Sequence, residues 1–234
     1  YLNYSTGQTI MDQKTTYSNG VELNNWDFSH KGAMTLRTAL VYSRNTTALQ
    51  TFKAVGEKDI KSFLNNLDIQ IKNDGQDYLV ESNSIGADIS PIKMAAAYAA
   101  FGNYGTYSKP YTVTKVTTRD GQVTEFKPEQ KQAMKDSTAY MITDVLKDSF
   151  KYGFATQAAI PGLPTAAKTG SSNYTVEQKR AMGASDYEDI IPDSWFIGYS
   201  TDYTISAWTG YDNPYEKGGG VDTTEQEYSR LIYY

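Results

Sequence analysis

The order in which apolar patterns follow one another constrains the fold of this 234-residue chain more than any single motif does. From Thr35 to Tyr42, Leu36, Ala39 and Leu40 share a helical face. The chain breaks at Ser43-Arg44-Asn45, and a helix resumes near Thr46 and Thr47, with Ala48, Phe52 and Val55 expected inside and Gly56 as its stop. Ile60, Phe63, Leu64 and Leu67 then recur at i, i+3, i+4 and i+7, an amphipathic helix. Ser90-Pro91 opens an alanine-rich helix, with Ser as the expected cap, Pro at the first helical position and Gly102 just past the end. A hairpin is expected between Val113 and Phe126, turning at Asp120-Gly121. Asp136 to Phe150 is helical again, with Ala139, Ile142, Leu146 and Phe150 on one side and Gly153 closing it. Strand-like runs dominate the last third, at 165–170, 194–200 and 203–211. The polar stretch 173–192 reads as a long surface loop, and Thr224-Glu225-Gln226-Glu227 as the capping box of a terminal helix. Helices first and an antiparallel sheet later predict an α+β fold.

Composition narrows the chemistry. With no cysteine, disulfides, thiolate nucleophiles and most zinc sites are excluded. A Ser-His-Asp triad would have to use the one histidine, His30, which lies in a turn-like stretch with no Gly-x-Ser-x-Gly elbow and reads as structural or exposed. The net charge of −5 argues against nucleic acid or an anionic membrane surface as the main partner. No apolar run approaches the ~18 residues that span a bilayer. Residues 1–32 are polar and read as loop with short extended pieces. Both termini read as cut ends, so the chain is expected to be a fragment of a longer polypeptide.

Lys168-Thr169-Gly170 occurs once, whereas Ser-x-Asn occurs twice, at Ser43-Arg44-Asn45 and Ser171-Ser172-Asn173. Cleaving a peptide-like bond with serine needs a nucleophile, a base, oxyanion donors and a proton for the leaving nitrogen. With one poorly placed histidine, the base must be another group, and a lysine with a lowered pKa suits that role. Lys168 at the end of a short strand is one candidate; the bland alternative is an exposed strand lysine beside a tight turn. Gly170 removes a side chain where a substrate backbone could lie against the strand. Ser43 and Asn45, at a break between helices, point short polar groups into a cleft.

An ordered set of segments extends this picture over nearly the whole chain. It comprises Ser43-Arg44-Asn45-Thr46-Thr47-Ala48, Ser90-Pro91-Ile92-Lys93-Met94-Ala95 through Gly105, and Ala139-Tyr140-Met141-Ile142-Thr143-Asp144. It continues with Ala167-Lys168-Thr169-Gly170-Ser171-Ser172, Asp193-Ser194-Trp195-Phe196-Ile197-Gly198-Tyr199 and Ala207-Trp208-Thr209-Gly210-Tyr211. With these segments the chain resembles the transpeptidase domain of class A penicillin-binding proteins, whose motifs are S-x-x-K, S-x-N and K-T-G in that order. The resemblance implies the penicillin-recognising serine fold, β-lactamase-like, with a central antiparallel sheet flanked by helices and here incomplete on its N-terminal side. It implies D,D-transpeptidation of peptidoglycan stem peptides with release of a terminal D-Ala, and inhibition by β-lactams. Ser43 would relay a proton to the leaving amine, and Asn45 would hold the donor's acyl amide and the first motif's lysine. Lys168 would tune Ser43 and attract the substrate carboxylate. Thr169 and Ser171 hydroxyls would bind that carboxylate, beside Gly170 and Ser172, and the Ser171 N–H would form half of the oxyanion hole. The family often carries Thr at the Ser171 position, and Ser keeps the hydroxyl.

The S-x-x-K of this chain, Ser90-Pro91-Ile92-Lys93, falls after S-x-N rather than before it. It is expected to be a helix cap and a solvated lysine. Residues 1–234 are therefore expected to be a transpeptidase-domain fragment whose nucleophile lies upstream, so that the chain alone lacks activity. The resemblance further implies an upstream glycosyltransferase domain and an N-terminal membrane helix, with the whole protein working on the outer face of the bacterial cytoplasmic membrane. No metal or cofactor is implied. The rival readings are a serine β-lactamase, which needs a deacylating Glu after S-x-N, and a non-catalytic β-lactam sensor domain.

Overall fold

The computed structural model describes residues 4–233. The N-terminal segment makes four short strands, β1 (Thr9–Asp12), β2 (Thr15–Thr16), β3 (Glu22–Leu23) and β4 (Gly32–Thr35), with β1 paired to β4 and β2 to β3. Helices α1 (Leu36–Val41), α2 (Asn45–Val55) and α3 (Glu57–Asn66) follow, then α4 (Pro91–Gly102). Strand β5 (Thr106–Ser108), the hairpin β6 (Lys115–Thr117) and β7 (Val123–Glu125), and β8 (Gln130–Gln132) lead to α5 (Asp136–Lys147) and α6 (Ser149–Tyr152). The last third holds β9 (Ala166–Ser171), α7 (Val176–Ala181), β10 (Asp193–Tyr199), β11 (Thr204–Gly210) and α8 (Tyr228–Tyr233). The α+β expectation holds, and the central sheet has three antiparallel strands in the order β11-β10-β9.

Strand register assigns each side chain to a face of that sheet, because residues directly opposite one another share a face. Lys168 pairs with Ile197 and Gly170 with Trp195, so they share a face with Ala166 and Tyr199. That face packs on α4 and α5, where Ala166, Tyr199 and Leu146 form a core cluster with Tyr98, Phe101 and Ile142. The Tyr199 hydroxyl satisfies itself on Thr143 Oγ1 at 2.9 Å. On the opposite face, Ala167 and Phe196 pack with Ala155, Ala158 and Tyr233. The sheet therefore lies between two helical layers, with β9 at its edge. A second core joins Leu67, Ala96, Ala97, Ala100, Tyr107 and Ala139 beneath α3, α4 and α5.

Gly198 shows how closely α8 is seated. A Cβ there would lie 2.4 Å from Tyr233 Cε2, and the Tyr233 ring already stacks 4.7 Å from the fully buried Phe196. Neither ring can yield by a simple rotation, so Gly198→Ala is expected to displace α8 and to destabilise by about 1–3 kcal/mol. A lowered urea midpoint with an unchanged slope would confirm this.

Several local expectations are revised. The buried residues of α2 are Thr46, Thr47 and Leu49, while Ala48, Phe52 and Val55 are half-buried. The polar face is inside because it meets the buried carboxylate of Asp12, to which Thr46 Oγ1 donates at 2.6 Å. Ser90 occupies the N-cap position of α4, but its side chain makes no capping hydrogen bond. Gly102 is the last residue of that helix, where a Cβ would meet the Tyr199 ring at 3.2 Å. The helix expected over 136–150 divides at Asp148, whose carboxylate takes hydrogen bonds from Arg37, Lys151 and Tyr152. The stretch 173–192 contains α7, opened by a Thr175–Gln178 capping box. The expected capping box opens a 3-10 turn (Glu225–Glu227) that leads into α8, and its bonds start two residues earlier than expected: Asp222 Oδ1 accepts from the Thr224 and Glu225 N–H groups, and Glu225 accepts from the Asp222 N–H.

Candidate active site

The break between α1 and α2 is a single left-handed residue. Ser43 has φ +52°, a region that an L side chain enters only when its flanks hold it there. The turn is closed by Ser43 N–H donating to Leu40 O at 3.1 Å and Arg44 N–H to Ala39 O at 3.0 Å. With Ser43 in this conformation, its Oγ lies 2.9 Å from Lys168 Nζ, across 125 residues of sequence. The two motifs that the resemblance sets side by side thus lie in contact.

Lys168 lies on the sheet face that it shares with Ala166 and Tyr199, and its ammonium donates to Ser43 Oγ and, at 2.9 Å, to Thr169 O. No carboxylate is paired with it among the described salt bridges. Burial without a counter-ion pulls its pKa down to about 8. A lysine poised near neutrality beside a hydroxyl can donate to that oxygen, share its proton or attract an incoming anion with little rearrangement.

The remaining predicted residues lie along the same strand. Thr169 and Ser171 share the opposite sheet face from Lys168, and Ser171 and Ser172 are exposed at the end of β9. Because Thr169 O is reached by Lys168 Nζ, the backbone of Thr169 is turned toward the open edge; main-chain groups alternate along a strand, so those of Ser171 share that direction. A Cβ on Gly170 would approach Trp195 Cβ to 3.3 Å, so the close neighbouring strand by itself favours glycine there. Asn45 opens α2, and its Nδ2 donates to Asn24 O at 2.9 Å.

Sequence reasoning passed over the residue between Ser43 and Asn45. Arg44 is buried, at 3% exposure, and donates from Nε to Asp12 Oδ2 at 2.8 Å, from Nη1 to Asp27 Oδ1 at 2.9 Å and from Nη2 to Ser29 O. Asp12 also accepts from Asn25 Nδ2, Thr46 Oγ1 and the Lys31 N–H. These donors hold the carboxyls of Asp12 and Asp27 below the usual range despite burial. Trp26 was also missed. Its Nε1 donates to Tyr42 O at 3.1 Å, its ring meets Phe154 edge-on at 5.2 Å, and it remains half exposed beside the Ser43 turn. The only hint of Arg44's role in the sequence was two aspartates in the preceding polar segment. His30, expected to be structural or exposed, is exposed at the surface, with Nδ1 3.8 Å from Asp12 Oδ1.

The Ser90-x-x-Lys93 pair stands apart from this arrangement. Both residues are exposed at the start of α4, and neither makes a side-chain hydrogen bond among those described.

Against known families, residues 3–227 match the penicillin binding protein transpeptidase domain. The chain belongs to this family. It is 39% identical over 236 residues to penicillin-binding protein 1A/1B of Bacillus subtilis (strain 168), covering 98% of this chain and 25% of that protein. It is 40% identical over 238 residues to penicillin-binding protein 1A of Streptococcus oralis, covering 98% of this chain and 37% of that protein. The chain thus spans well under half the length of these class A relatives. Among solved structures, penicillin-binding protein PonA1 from Mycobacterium tuberculosis superposes with a TM-score of 0.80 at 19% identity, covering 98% of this chain and 63% of that one. This likeness shows that the penicillin-binding transpeptidase fold expected from the sequence is the one adopted.

Proposed function

We propose that this chain supplies the S-x-N and K-T-G walls of a peptidoglycan D,D-transpeptidase, and that the nucleophilic serine comes from a Ser-x-x-Lys segment upstream of Tyr1. The observation that carries the reading is the 2.9 Å contact between Lys168 Nζ and Ser43 Oγ in a family member. In this reading the upstream serine attacks the carbonyl of the penultimate D-Ala of a stem peptide. The oxyanion is held in part by the outward Ser171 N–H. As it attacks, the upstream serine loses its hydroxyl proton, and Ser43, held by the Lys168 ammonium at its Oγ, relays one proton to the departing amine nitrogen as it takes that one up, so the terminal D-Ala leaves. The amine of a second stem peptide then takes the acyl group and completes the cross-link. Asn45 holds the donor's amide, while Lys168 from one side of β9 and the Thr169 and Ser171 hydroxyls from the other meet its carboxylate at the strand's open edge, with Gly170 and Ser172 lining the same strand. A β-lactam acylates the same serine because it presents a carboxylate and a strained amide to the same groups.

The chain covers only 25% and 37% of the two class A relatives named above, which supports a longer protein; in this reading that protein also carries a glycosyltransferase domain and an N-terminal anchor that holds this domain on the outer face of the cytoplasmic membrane. Among the described residues, no helix is long and apolar enough to cross a membrane. Fluorescent penicillin labelling tests the assignment. Full-length protein is expected to form a covalent adduct, the 234-residue chain alone none, and Ser90→Ala in the full-length protein is expected to leave labelling unchanged. Labelling of the isolated chain that Ser90→Ala abolishes would overturn it.

A further inference from the structure

We infer that Arg44 is a positioning residue for the reaction: its buried anchor on Asp12, Asp27 and Ser29 sets the left-handed turn that aims the Ser43 hydroxyl at Lys168. The inference rests on the role proposed above for Ser43. A serine at φ +52° sits outside its preferred backbone regions and relaxes unless both flanks are held. The upstream flank is held by α1, through the Ser43 and Arg44 N–H bonds to Leu40 O and Ala39 O. The downstream flank is held by the Arg44 side chain. All three guanidinium nitrogens are engaged, on two carboxylates and a carbonyl, and the side chain is 2% exposed. The Arg44 carbonyl in turn accepts from Thr47 Oγ1 at 2.8 Å and from the Ala48 N–H, which fixes the first turn of α2.

The partners are themselves immobile. Asp12 is 1% exposed and ties together β1, the Lys31 N–H, Asn25 and Thr46. Arg44 therefore connects the residue after Ser43 to a rigid polar core rather than to a surface loop. The planar fork is essential to that connection, because three partners in different directions require three fixed donors. A lysine keeps the charge but offers a single flexible ammonium. The expected consequence of losing the fork is a Ser43 that drifts from Lys168 while the rest of the fold stands.

The test uses full-length protein carrying the upstream Ser-x-x-Lys, with a fluorescent penicillin as probe. Arg44→Lys and Asp27→Asn are each compared with the parent, alone and in a Ser43→Ala background, with circular dichroism recording the folded fraction. Both variants are expected to remain folded and to acylate at least about tenfold more slowly than the parent. In the Ser43→Ala background that loss should shrink to under about twofold, because no hydroxyl remains to be positioned. An unchanged rate, a loss of equal size without Ser43, or a loss that tracks the unfolded fraction overturns the inference and leaves the proposed function standing. A parent that takes up no label overturns the proposed function and the inference with it.

Discussion

Lys168→Met in the full-length protein is expected to lower the rate of penicillin acylation by about 10²–10⁴-fold, the range typical of a positioned proton-handling group. Methionine retains the apolar stem that packs on the sheet and removes both the donor to Ser43 Oγ and the attraction for the substrate carboxylate. The same substitution should act in the opposite sense on stability. The pKa of Lys168 is about 8 when folded, below its ordinary 10.5. Between those values the unfolded chain holds a proton that the folded chain has released, so the parent gains stability as pH rises from 8 to 10.5. The methionine variant has no such group. Its stability relative to the parent should be most favourable near pH 7 and should decline across that window. Stopped-flow acylation and urea unfolding at a series of pH values check both halves. A variant that acylates normally would remove Lys168 from the mechanism, and a stability difference independent of pH would mean that its ammonium is not desolvated.

The second large effect is expected at Asp12. Asp12→Ala leaves Arg44 Nε, Asn25 Nδ2, Thr46 Oγ1 and the Lys31 N–H without their common acceptor, the first three of them in the interior. Removing one partner of a buried ion pair costs about 3–5 kcal/mol, because the remaining charge stays desolvated. That is a large share of the 5–15 kcal/mol that stabilises a typical domain. Urea unfolding of parent and variant side by side measures it. Asp12→Asn should recover part of the loss, since its carbonyl oxygen can still accept one of these bonds. A cost below about 1 kcal/mol for the alanine variant would show that water satisfies the cluster, as it does at exposed ion pairs.

Much of the architecture was legible because its signals are local. The i, i+3, i+4, i+7 spacing of Ile60, Phe63, Leu64 and Leu67 places α3, and Asp120-Gly121 places the β6–β7 hairpin. The strand-like runs 194–200 and 203–211 place the two strands that pair in the central sheet. Expectations failed where a local signal competed with a distant one. Thr224 looked like a cap, but the Asp222 carboxylate reached the free N–H groups first. Phe52 and Val55 looked like the buried face of α2, but the Asp12 carboxylate drew the Thr46 side inward. Asp148 interrupts a continuous helical pattern because Arg37, from a helix more than a hundred positions away, competes for its carboxylate.

The same division applies to the site. Local chemistry made Ser43, Asn45, Lys168 and Gly170 candidates, and the resemblance to the family added Thr169, Ser171 and Ser172. The family's motif order is also what sets Ser90-x-x-Lys93 aside as an expectation, since motif order can be read without coordinates. The resemblance implied that Lys168 acts on Ser43, and only the tertiary structure gave that contact its geometry, showed that burial without a counter-ion pulls the lysine's pKa toward neutrality, and placed the Arg44 anchor beside the turn. The physical reason is that a pKa and a left-handed backbone both depend on what surrounds a residue. Those surroundings are contributed by β1, β9 and the helices together, from parts of the chain that no sequence window contains.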